Sequence, residues 1–326
     1  MIITKTPFRV SFFGGGTDYP EYFEKHGGAV LGTAVGHSAY IAISKFYSQL
    51  FEYRMRIAYR QAECVNAIDE IEHPAFRECL RKCCVERDVE LSYMAELPSF
   101  SGMGSSSSCI VGTLNALHAF QGRAVSPLEL AYEAIALERG AMNECVGCQD
   151  QTFAAVGGFN VLEFRAQDDI GVHRIPLTRE RAEEFERHLL LLFTGFRRRA
   201  SELAARQVSK IGENLGALKT MRAMVDRAYA SLTGGGSLAE FGALLHESWV
   251  LKQSLDRGIA NQEIASLYEA GRAAGAFGGK LLGAGGGGFL LFLAPPDKRE
   301  AVRTALGHLA EIPLTIDAPG SHILHS

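Results

Sequence analysis

Gly102 to Ser108 have the residue types and spacing of a phosphate-binding loop. The segment reads Gly-Met-Gly followed by four serines, and it leads directly into an apolar, helically periodic run from Cys109 to Phe120. Glycines let the backbone approach an oligophosphate, serine hydroxyls can donate to it or ligate a metal, and a helix start turns free N–H groups toward an anion. The chain has no G-x-x-x-x-G-K-[ST] sequence, which excludes a Walker A loop. A flexible linker followed by a serine-capped helix is the alternative interpretation.

A second segment, Thr6 to Tyr19, has a strand pattern that ends in a glycine turn carrying an acid. Gly14–Gly16 precede Thr17 and Asp18, and Arg9 lies within the otherwise apolar strand. An arginine in such a strand is costly to bury without a partner, so we expect it to have one. A simple surface turn is the alternative interpretation of the Thr-Asp pair.

A third segment, Gly278 to Phe289, indicates a strand, a glycine loop and another strand. The run Gly285–Gly288 would be costly in conformational entropy in a merely structural hairpin. We therefore predict that the backbone approaches another part of the molecule closely here.

The three segments, in this order along the chain, resemble the signature segments of the GHMP small-molecule kinases. The resemblance implies an α+β fold with an N-terminal half like ribosomal S5 domain 2 and a ferredoxin-like C-terminal half with added helices. The irregular alternation of strands, helices and glycine loops also favours α+β over a doubly wound sheet. We place the N-terminal, ATP-binding domain at residues 1–168 and the C-terminal domain at 169–326.

The segment Gly147 to Asn160 is similar to the sugar-1-kinase branch of that family, which includes kinases of heptose 7-phosphate and carries an [RK]-Q-D-Q turn. Cys148 stands where the branch has Arg or Lys, and it is the one thiol expected beside the active site. The resemblance implies that Asp150 is the catalytic base and that Arg9 holds it ionised. An N-cap role in a helix over 149–156 is the alternative for Asp150.

The resemblance also implies which residues bind ATP, Mg²⁺ and the substrate, and a cluster of arginines predicts one further, anion-binding site. Three adjacent arginines at a helix start could bind the acceptor's phosphate, although a solvated helix start is the alternative. A glutamate on a helix is also commonly a solvated residue or half of an ion pair. The residues expected to bind ATP are Gly102, Met103, Gly104, Ser105, Ser106, Ser107 and Ser108. The expected Mg²⁺ ligands are Ser106 and Glu138. The residues expected to bind the substrate are Asp18, Thr17, Gly15, Gly16, Arg197, Arg198, Arg199, Gly285 and Gly286.

The implied reaction is transfer of phosphate from MgATP to the anomeric C1 hydroxyl of D-glycero-D-manno-heptose 7-phosphate. The 1,7-bisphosphate would serve the synthesis of nucleotide-activated heptose for surface polysaccharide. The alternatives are a 1-kinase for fucose, galactose or a hexuronic acid, and a catalytically silent sugar sensor. A Rossmann dehydrogenase is disfavoured because no G-x-G-x-x-G occurs in a βαβ unit.

Composition limits the class of protein. The chain has 326 residues, 47% of them hydrophobic, and a formal net charge of −4, which argues against a nucleic-acid surface. We find neither an N-terminal basic-plus-apolar signal nor an apolar stretch of spanning length, and we expect a cytoplasmic protein with no membrane partner. Cys145-x-x-Cys148 has the spacing of a redox motif or of half a zinc site, but no second C-x-x-C or nearby histidine pair completes it, so the seven cysteines are expected to be reduced and not to bind metal. The expected partners are small molecules, and a homodimer is left open.

Periodicity predicts the elements that position these residues. The predicted strands are 2–13, 38–45, 51–59, 89–95, 159–164, 188–193, a glycine-rich pair around 277–293, and a last strand at 311–316. The predicted helices are 74–86, 105–121, 126–140, 149–156, 199–211, 213–232, 237–255, 261–274 and 297–309.

Overall fold

The computed structural model describes residues 1–99, 101–196 and 200–325. Its strands are β1 (Ile2–Phe13), β2 (Gly28–Lys45), β3 (Met55–Ala58), β4 (Ala62–Val65), β5 (Val89–Ala95), β6 (Phe159–Ala166), β7 (Asp169–Arg174), β8 (Leu189–Phe193), β9 (Gly278–Leu281), β10 (Phe289–Leu293), β11 (Ala310–Ile312) and β12 (His322–His325). Its α-helices are α1 (Pro20–His26), α2 (Pro74–Lys82), α3 (Ser105–Phe120), α4 (Pro127–Ala136), α5 (Gln149–Val156), α6 (Arg179–His188), α7 (Ala200–Ser209), α8 (Leu215–Thr233), α9 (Leu238–Leu255), α10 (Gln262–Ala273) and α11 (Arg299–Ala305). A π-helical turn, Leu137–Ala141, continues from α4.

The N-terminal half is built on one large, mostly antiparallel sheet. Its strands follow the order β12-β1-β2-β5-β3-β4, with β6 paired to β2 and β7 paired to β6. The β3–β5 pair is parallel. β1 is buried continuously from Thr6 to Phe13, because α3, α5, α8 and α9 all pack against it. Arg9 therefore lies in a strand with no solvent-facing side at that point.

The C-terminal half contains a four-stranded antiparallel sheet of order β11-β8-β10-β9. β8 and β10 are continuous apolar runs, which is typical of strands with both faces covered. α9 packs along β9, and α8 packs along α9. Among the described helices, none combines the length and apolar content needed to cross a bilayer.

Aromatic side chains join the two halves through one shared core. The ring of Phe12 in β1 has its centroid 5.3 Å from that of Phe185 and 5.8 Å from that of Phe241. The ring of Phe13 meets Phe241 edge-on at 5.1 Å. Such pairs stabilise a core beyond the area they bury. They fix the C-terminal half against the strand that carries Arg9.

The predicted α+β class is confirmed, and most predicted elements are present. β5 and α5 begin and end at the predicted residues. The predicted strand at 38–45 is the second part of β2, which already begins at Gly28. The helix predicted over 126–140 changes to a π-turn after Ala136. The prediction missed α1, β4, β7 and α6, and it was wrong to make 311–316 the last strand, because β12 follows.

The predicted domain boundary after residue 168 falls inside a β-hairpin. β6 and β7 pair on either side of it. β12, near the chain's end, returns to the first sheet as the neighbour of β1. The first sheet thus takes strands from both sides of the predicted boundary. We now propose a division after β7, with β12 belonging to the N-terminal half.

Candidate active site

Arg9 and Asp150 form a bidentate ion pair at the centre of the candidate site. Arg9 Nε lies 2.7 Å from Asp150 Oδ1, and Nη2 lies 2.7 Å from Oδ2. The remaining Arg9 Nη1 donates to the carbonyl oxygen of Gly102 at 2.5 Å. Arg9 is 5% exposed, whereas the Asp150 side chain is 27% exposed. The partner expected for the buried arginine is therefore this carboxylate, which keeps one side open to a ligand.

Asp150 lies in the first turn of α5, but it does not cap that helix. The N-cap position belongs to Cys148, and among the described residues no side chain makes a capping hydrogen bond there. A carboxylate in a first turn is also stabilised by the helix dipole. The alternative interpretation of Asp150 as a helix cap is thus not supported by its contacts.

The Gly102–Ser108 segment lies directly over this ion pair. Gly102 and Gly104 have φ angles of 80° and 74°, which favour glycine. A Cβ built on Gly104 would lie 3.3 Å from Arg9 Cγ and 3.4 Å from Asp150 Oδ2. α3 begins at Ser105, and in the described residues no side chain caps its first N–H groups. An anion bound at this helix start would meet the Arg9–Asp150 pair.

The serines of the segment have different surroundings. Ser108 Oγ donates to the carbonyl oxygen of Pro7 at 2.8 Å, and Ser106 is exposed. Ser107 is buried, and its hydroxyl donates to Glu138 at 2.9 Å. Met103 lies in the hydrophobic core, and its carbonyl oxygen accepts from the backbone N–H of Arg9 at 3.1 Å. Met103 can therefore offer a ligand only its backbone.

Glu138 is a buried carboxyl group of the site. It is 1% exposed, lies in the π-helical turn, and accepts hydrogen bonds from Ser107 Oγ and Gln151 Nε2. Burial raises the pKa of Glu138 to about 8, although both hydrogen bonds lower it. A cation bound beside this carboxyl group would favour its ionised form.

The donors around Glu138 suit a magnesium ion. Carboxylate and hydroxyl oxygens are the ligands that Mg²⁺ prefers, and one or two protein ligands are enough beside phosphate oxygens. Gln151 Oε1 is buried and has no hydrogen-bond partner within the described ranges, so an acceptor is left unfilled there. The described residues contain no group of three or more His, Cys, Asp or Glu side chains placed so that they could hold a metal ion by themselves. The hydroxyl that contacts Glu138 is that of Ser107, one residue after the Ser106 that the sequence pairs with it.

The glycine turn after β1 brings Asp18 beside the Asp150 turn. Asp18 Oδ1 accepts from the backbone N–H of Gly16 at 3.0 Å, and Oδ2 accepts from Gln149 Nε2 at 2.9 Å. Burial, followed by the charge of Asp150, raises the pKa of Asp18. A Cβ on Gly15 would lie 3.8 Å from Gln149 Nε2. Gln149 Oε1 is buried and lacks a hydrogen-bond partner in the part of the chain described, so this oxygen can accept a hydrogen bond from a ligand beside Asp18.

Thr17 has structural contacts instead of the predicted contact with a substrate, and Cys148 lies beside the site with its thiol buried. Thr17 is fully buried, and its hydroxyl donates to the carbonyl oxygens of Gly14 and Ala29 at 2.8 and 3.0 Å. Its hydroxyl is therefore used to shape the turn. Cys148 is a free, buried thiol in the hydrophobic core, and burial raises its pKa. Its backbone N–H donates to the carbonyl oxygen of Asp18 at 2.9 Å.

The third glycine segment packs its backbone against the start of the Gly102–Ser108 segment. A Cβ on Gly283 would lie 2.6 Å from Gly102 Cα, and one on Gly288 would lie 2.3 Å from the carbonyl oxygen of Ser101. The segment therefore supports the loop from the C-terminal half, at distances that only glycine allows.

Gly285 and Gly286, predicted to line the substrate site, lie against Ile259. The backbone N–H of Gly286 donates to the carbonyl oxygen of Ile259 at 2.9 Å, and a Cβ on Gly285 would lie 2.8 Å from Ile259 Cα. These contacts anchor the glycine loop to the chain that follows α9. Arg197, Arg198 and Arg199 lie outside the described residues.

Two residues of the site were missed in the sequence: Gln149 and Gln151. The two glutamines flank Asp150 and are part of the quoted Q-D-Q turn, so the signal was present. The contact of Ser107 with Glu138 was also missed. To decide between Ser106 and Ser107, one must know which side of α3 faces Glu138, and the sequence does not reveal this.

Comparison with known proteins matches both halves of the chain to one family. The family described as GHMP kinases N terminal domain matches residues 64–158. The family described as GHMP kinases C terminal matches residues 227–311.

Individual relatives and a solved structure agree with these matches. The D-glycero-alpha-D-manno-heptose 7-phosphate kinase of Campylobacter jejuni is 28% identical over 96% of this chain and 96% of its own length. The L-fucokinase/L-fucose-1-P guanylyltransferase of Bacteroides fragilis is 26% identical over 92% of this chain, which spans 35% of that longer protein. The crystal structure of a D-glycero-D-manno-heptose 1-phosphate kinase from Bacteroides thetaiotaomicron has a TM-score of 0.81 and 23% identity, covering 100% of this chain and 99% of that one. This last likeness concerns the fold.

Proposed function

The chain belongs to the GHMP kinase family and is an ATP-dependent phosphotransferase, and we propose that it phosphorylates the anomeric C1 hydroxyl of D-glycero-D-manno-heptose 7-phosphate. The Campylobacter relative, matched along nearly its whole length, supports this acceptor. The observation that carries the proposal is the Arg9–Asp150 pair, which lies beneath the phosphate-binding loop and beside the buried acid Asp18.

Asp150 acts as the base in the proposed reaction. Its carboxylate accepts the proton of the C1 hydroxyl as that oxygen bonds to the γ-phosphorus, and the bond to the β-phosphate oxygen breaks with its electron pair leaving on ADP. Arg9 orients the carboxylate through two hydrogen bonds and balances the negative charge that develops nearby. Positioning and charge supply most of the catalysis in such transfers.

The other residues position the two substrates. The first turn of α3 binds the ATP phosphates with backbone N–H groups and serine hydroxyls. Asp18 and Gln149 are hydrogen-bonded to each other, and both accept hydrogen bonds from sugar hydroxyls beside Gly15. Glu138 and Ser106 would offer oxygen ligands to a magnesium ion, while Ser107 Oγ donates to Glu138 and orients its carboxyl group. The ion would supply charge neutralisation on the phosphates when bound.

The metal ligands can be tested by magnesium titration. Glu138→Gln and Ser106→Ala are each expected to raise the Mg²⁺ concentration for half-maximal rate by roughly tenfold. The double variant should be clearly non-additive, because both residues act through one ion. Ser108→Ala is the control, since its hydroxyl bonds to Pro7 instead. If the Mg²⁺ concentration for half-maximal rate were unchanged in both single variants, the proposed metal site would be wrong.

The acceptor's own phosphate requires a cationic anchor, and Arg197, Arg198 and Arg199 are proposed for it. At least one of their single replacements by Ala is expected to raise KM for heptose 7-phosphate by roughly tenfold or more, the loss of a charge-assisted contact. KM for ATP should stay nearly constant. Arg206→Ala is the control, because this arginine already faces Asp256 at 3.6 Å. Equal activity of the unaltered enzyme on heptose and heptose 7-phosphate would contradict the anchor.

A 1-kinase for fucose is the second candidate, because the Bacteroides fucokinase matches most of the chain. ADP release measured against heptose 7-phosphate, heptose, fucose, galactose and a hexuronic acid separates the candidates. We expect kcat/KM for heptose 7-phosphate to exceed the others by roughly a hundredfold or more. A preference for fucose would support the second candidate, and no ADP release with any sugar would indicate a sensor.

A further inference from the structure

Two lysines of the C-terminal half are buried behind the candidate active site. Lys252 of α9 is 7% exposed and Lys280 of β9 is 4% exposed. Neither forms a salt bridge to a carboxylate in the described part of the chain. Burying an ammonium group without an opposite charge is expensive, so such a group needs a compensating role.

The two lysines have different hydrogen-bond partners. Lys280 Nζ donates to the carbonyl oxygens of Ser11 and Phe12 at 2.8 and 2.9 Å, which ties β9 to the end of β1. Lys252 Nζ donates to the carbonyl oxygen of Gly283, its one protein acceptor among the described residues. Lys280 is therefore a structural tie between the two halves, whereas Lys252 acts on the third glycine segment.

A continuous series of contacts joins Lys252 to the catalytic pair. Gly283 accepts the hydrogen bond from Lys252 and packs on Gly102 at a distance that leaves no room for a Cβ. Gly102 in turn accepts the Nη1 hydrogen bond of Arg9, whose other two N–H groups hold Asp150. Each link is a direct contact, so a shift of Gly283 is transmitted to the Arg9 fork.

The Lys252 ammonium also lies within electrostatic range of the active site. Burial and the charge of Arg9 together lower the pKa of Lys252 to about 8, and the charge of Asp18 opposes them.

We propose that Lys252 is a positioning residue for phosphoryl transfer, which holds Gly283 against Gly102 and so keeps the guanidinium fork of Arg9 on Asp150. The inference rests on the proposed roles of Arg9 and Asp150. A misplacement of about 1 Å in such a constellation can cost on the order of a hundredfold in rate.

The test is Lys252→Met, which keeps the length of the side chain and removes its charge and donors. We expect kcat to fall at least tenfold and KM for ATP to change less than threefold. The melting temperature should fall less than in Lys280→Met, because one carbonyl oxygen instead of two loses its donor and the removal of the buried ammonium offsets that loss. Lys280→Met is the matched control: it leaves two carbonyl oxygens without their donor and should lower the melting temperature.

A double-mutant cycle with Arg9→Lys identifies the route of the effect. Lysine at position 9 keeps a charge but lacks the fork, so adding Lys252→Met to it should cost less than threefold in kcat. An unchanged kcat in Lys252→Met would overturn the proposal. So would a loss of activity that accompanies a lower melting temperature and is undiminished in the Arg9→Lys background, since Lys252 would then be a structural residue only.

Asp150→Asn separates the failure of this inference from that of the proposed function. If Asp150→Asn is inactive while Lys252→Met is fully active, only the role of Lys252 is wrong. If Asp150→Asn retains its activity, the proposed catalytic pair is wrong, and the inference falls with it.

Discussion

Asp150→Asn is expected to lower kcat by roughly 10²- to 10⁴-fold, the usual cost of removing a general base. Asparagine keeps an oxygen for Arg9 but cannot take the proton of the C1 hydroxyl. KM for ATP should change little, because Asp150 contacts Arg9 beneath the loop and not the N–H groups at the start of α3. Steady-state kinetics with heptose 7-phosphate and a nucleotide-binding titration check both parts.

Glu240→Gln is the matched control for this variant. Glu240 is also an acid in the first turn of a helix, α9, but it is exposed. If the kcat of both variants stayed within about threefold of that of the unaltered enzyme, Asp150 would only stabilise α5 through the helix dipole and would not be the base.

Gly283→Ala is expected to raise KM for ATP by roughly tenfold or more and to lower kcat as well. The added Cβ would lie 2.6 Å from Gly102 Cα, and the φ of 73° at this position disfavours any side chain. The phosphate-binding loop, which carries the contact to Arg9, would have to move. ATP titrations and melting temperatures of the variant measure the two effects separately.

Gly235→Ala distinguishes the steric effect from backbone strain. Gly235 has a φ of 71°, but none of the described atoms lies within 4 Å of the place that an added Cβ would occupy. Both variants carry a strain of about 1 kcal/mol, and only Gly283→Ala pushes the loop. Similar kinetics in the two variants would contradict the claim that the third glycine segment supports the nucleotide site.

The sequence predicts the catalytic pair because two independent signals agree on it. An arginine in an apolar strand requires a partner, and the Q-D-Q turn supplies an acid whose role the family resemblance gives. The distance in sequence between Arg9 and Asp150 does not matter, since each residue is identified by its own segment. The ion pair that results is the arrangement these two signals require.

The residues that the sequence does not reveal depend on how elements pack. Lys252 follows apolar residues on α9 and has the pattern of an ordinary surface lysine; it is buried only because that helix packs along β9. Ser106 and Ser107 differ by about 100° around a helix axis, so one residue decides which hydroxyl faces Glu138. β12 was missed because it is stabilised by pairing with β1, from the other end of the chain.

The central claim is that the enzyme places the γ-phosphate of ATP on the C1 hydroxyl of heptose 7-phosphate. Phosphorus NMR of the reaction product, with the coupling of each phosphorus to its sugar proton, identifies the position directly. We predict a second phosphate signal coupled to the anomeric proton, present with the unaltered enzyme and absent with Asp150→Asn. A phosphate on any other carbon, or a product that forms only from an unphosphorylated sugar, would contradict the account.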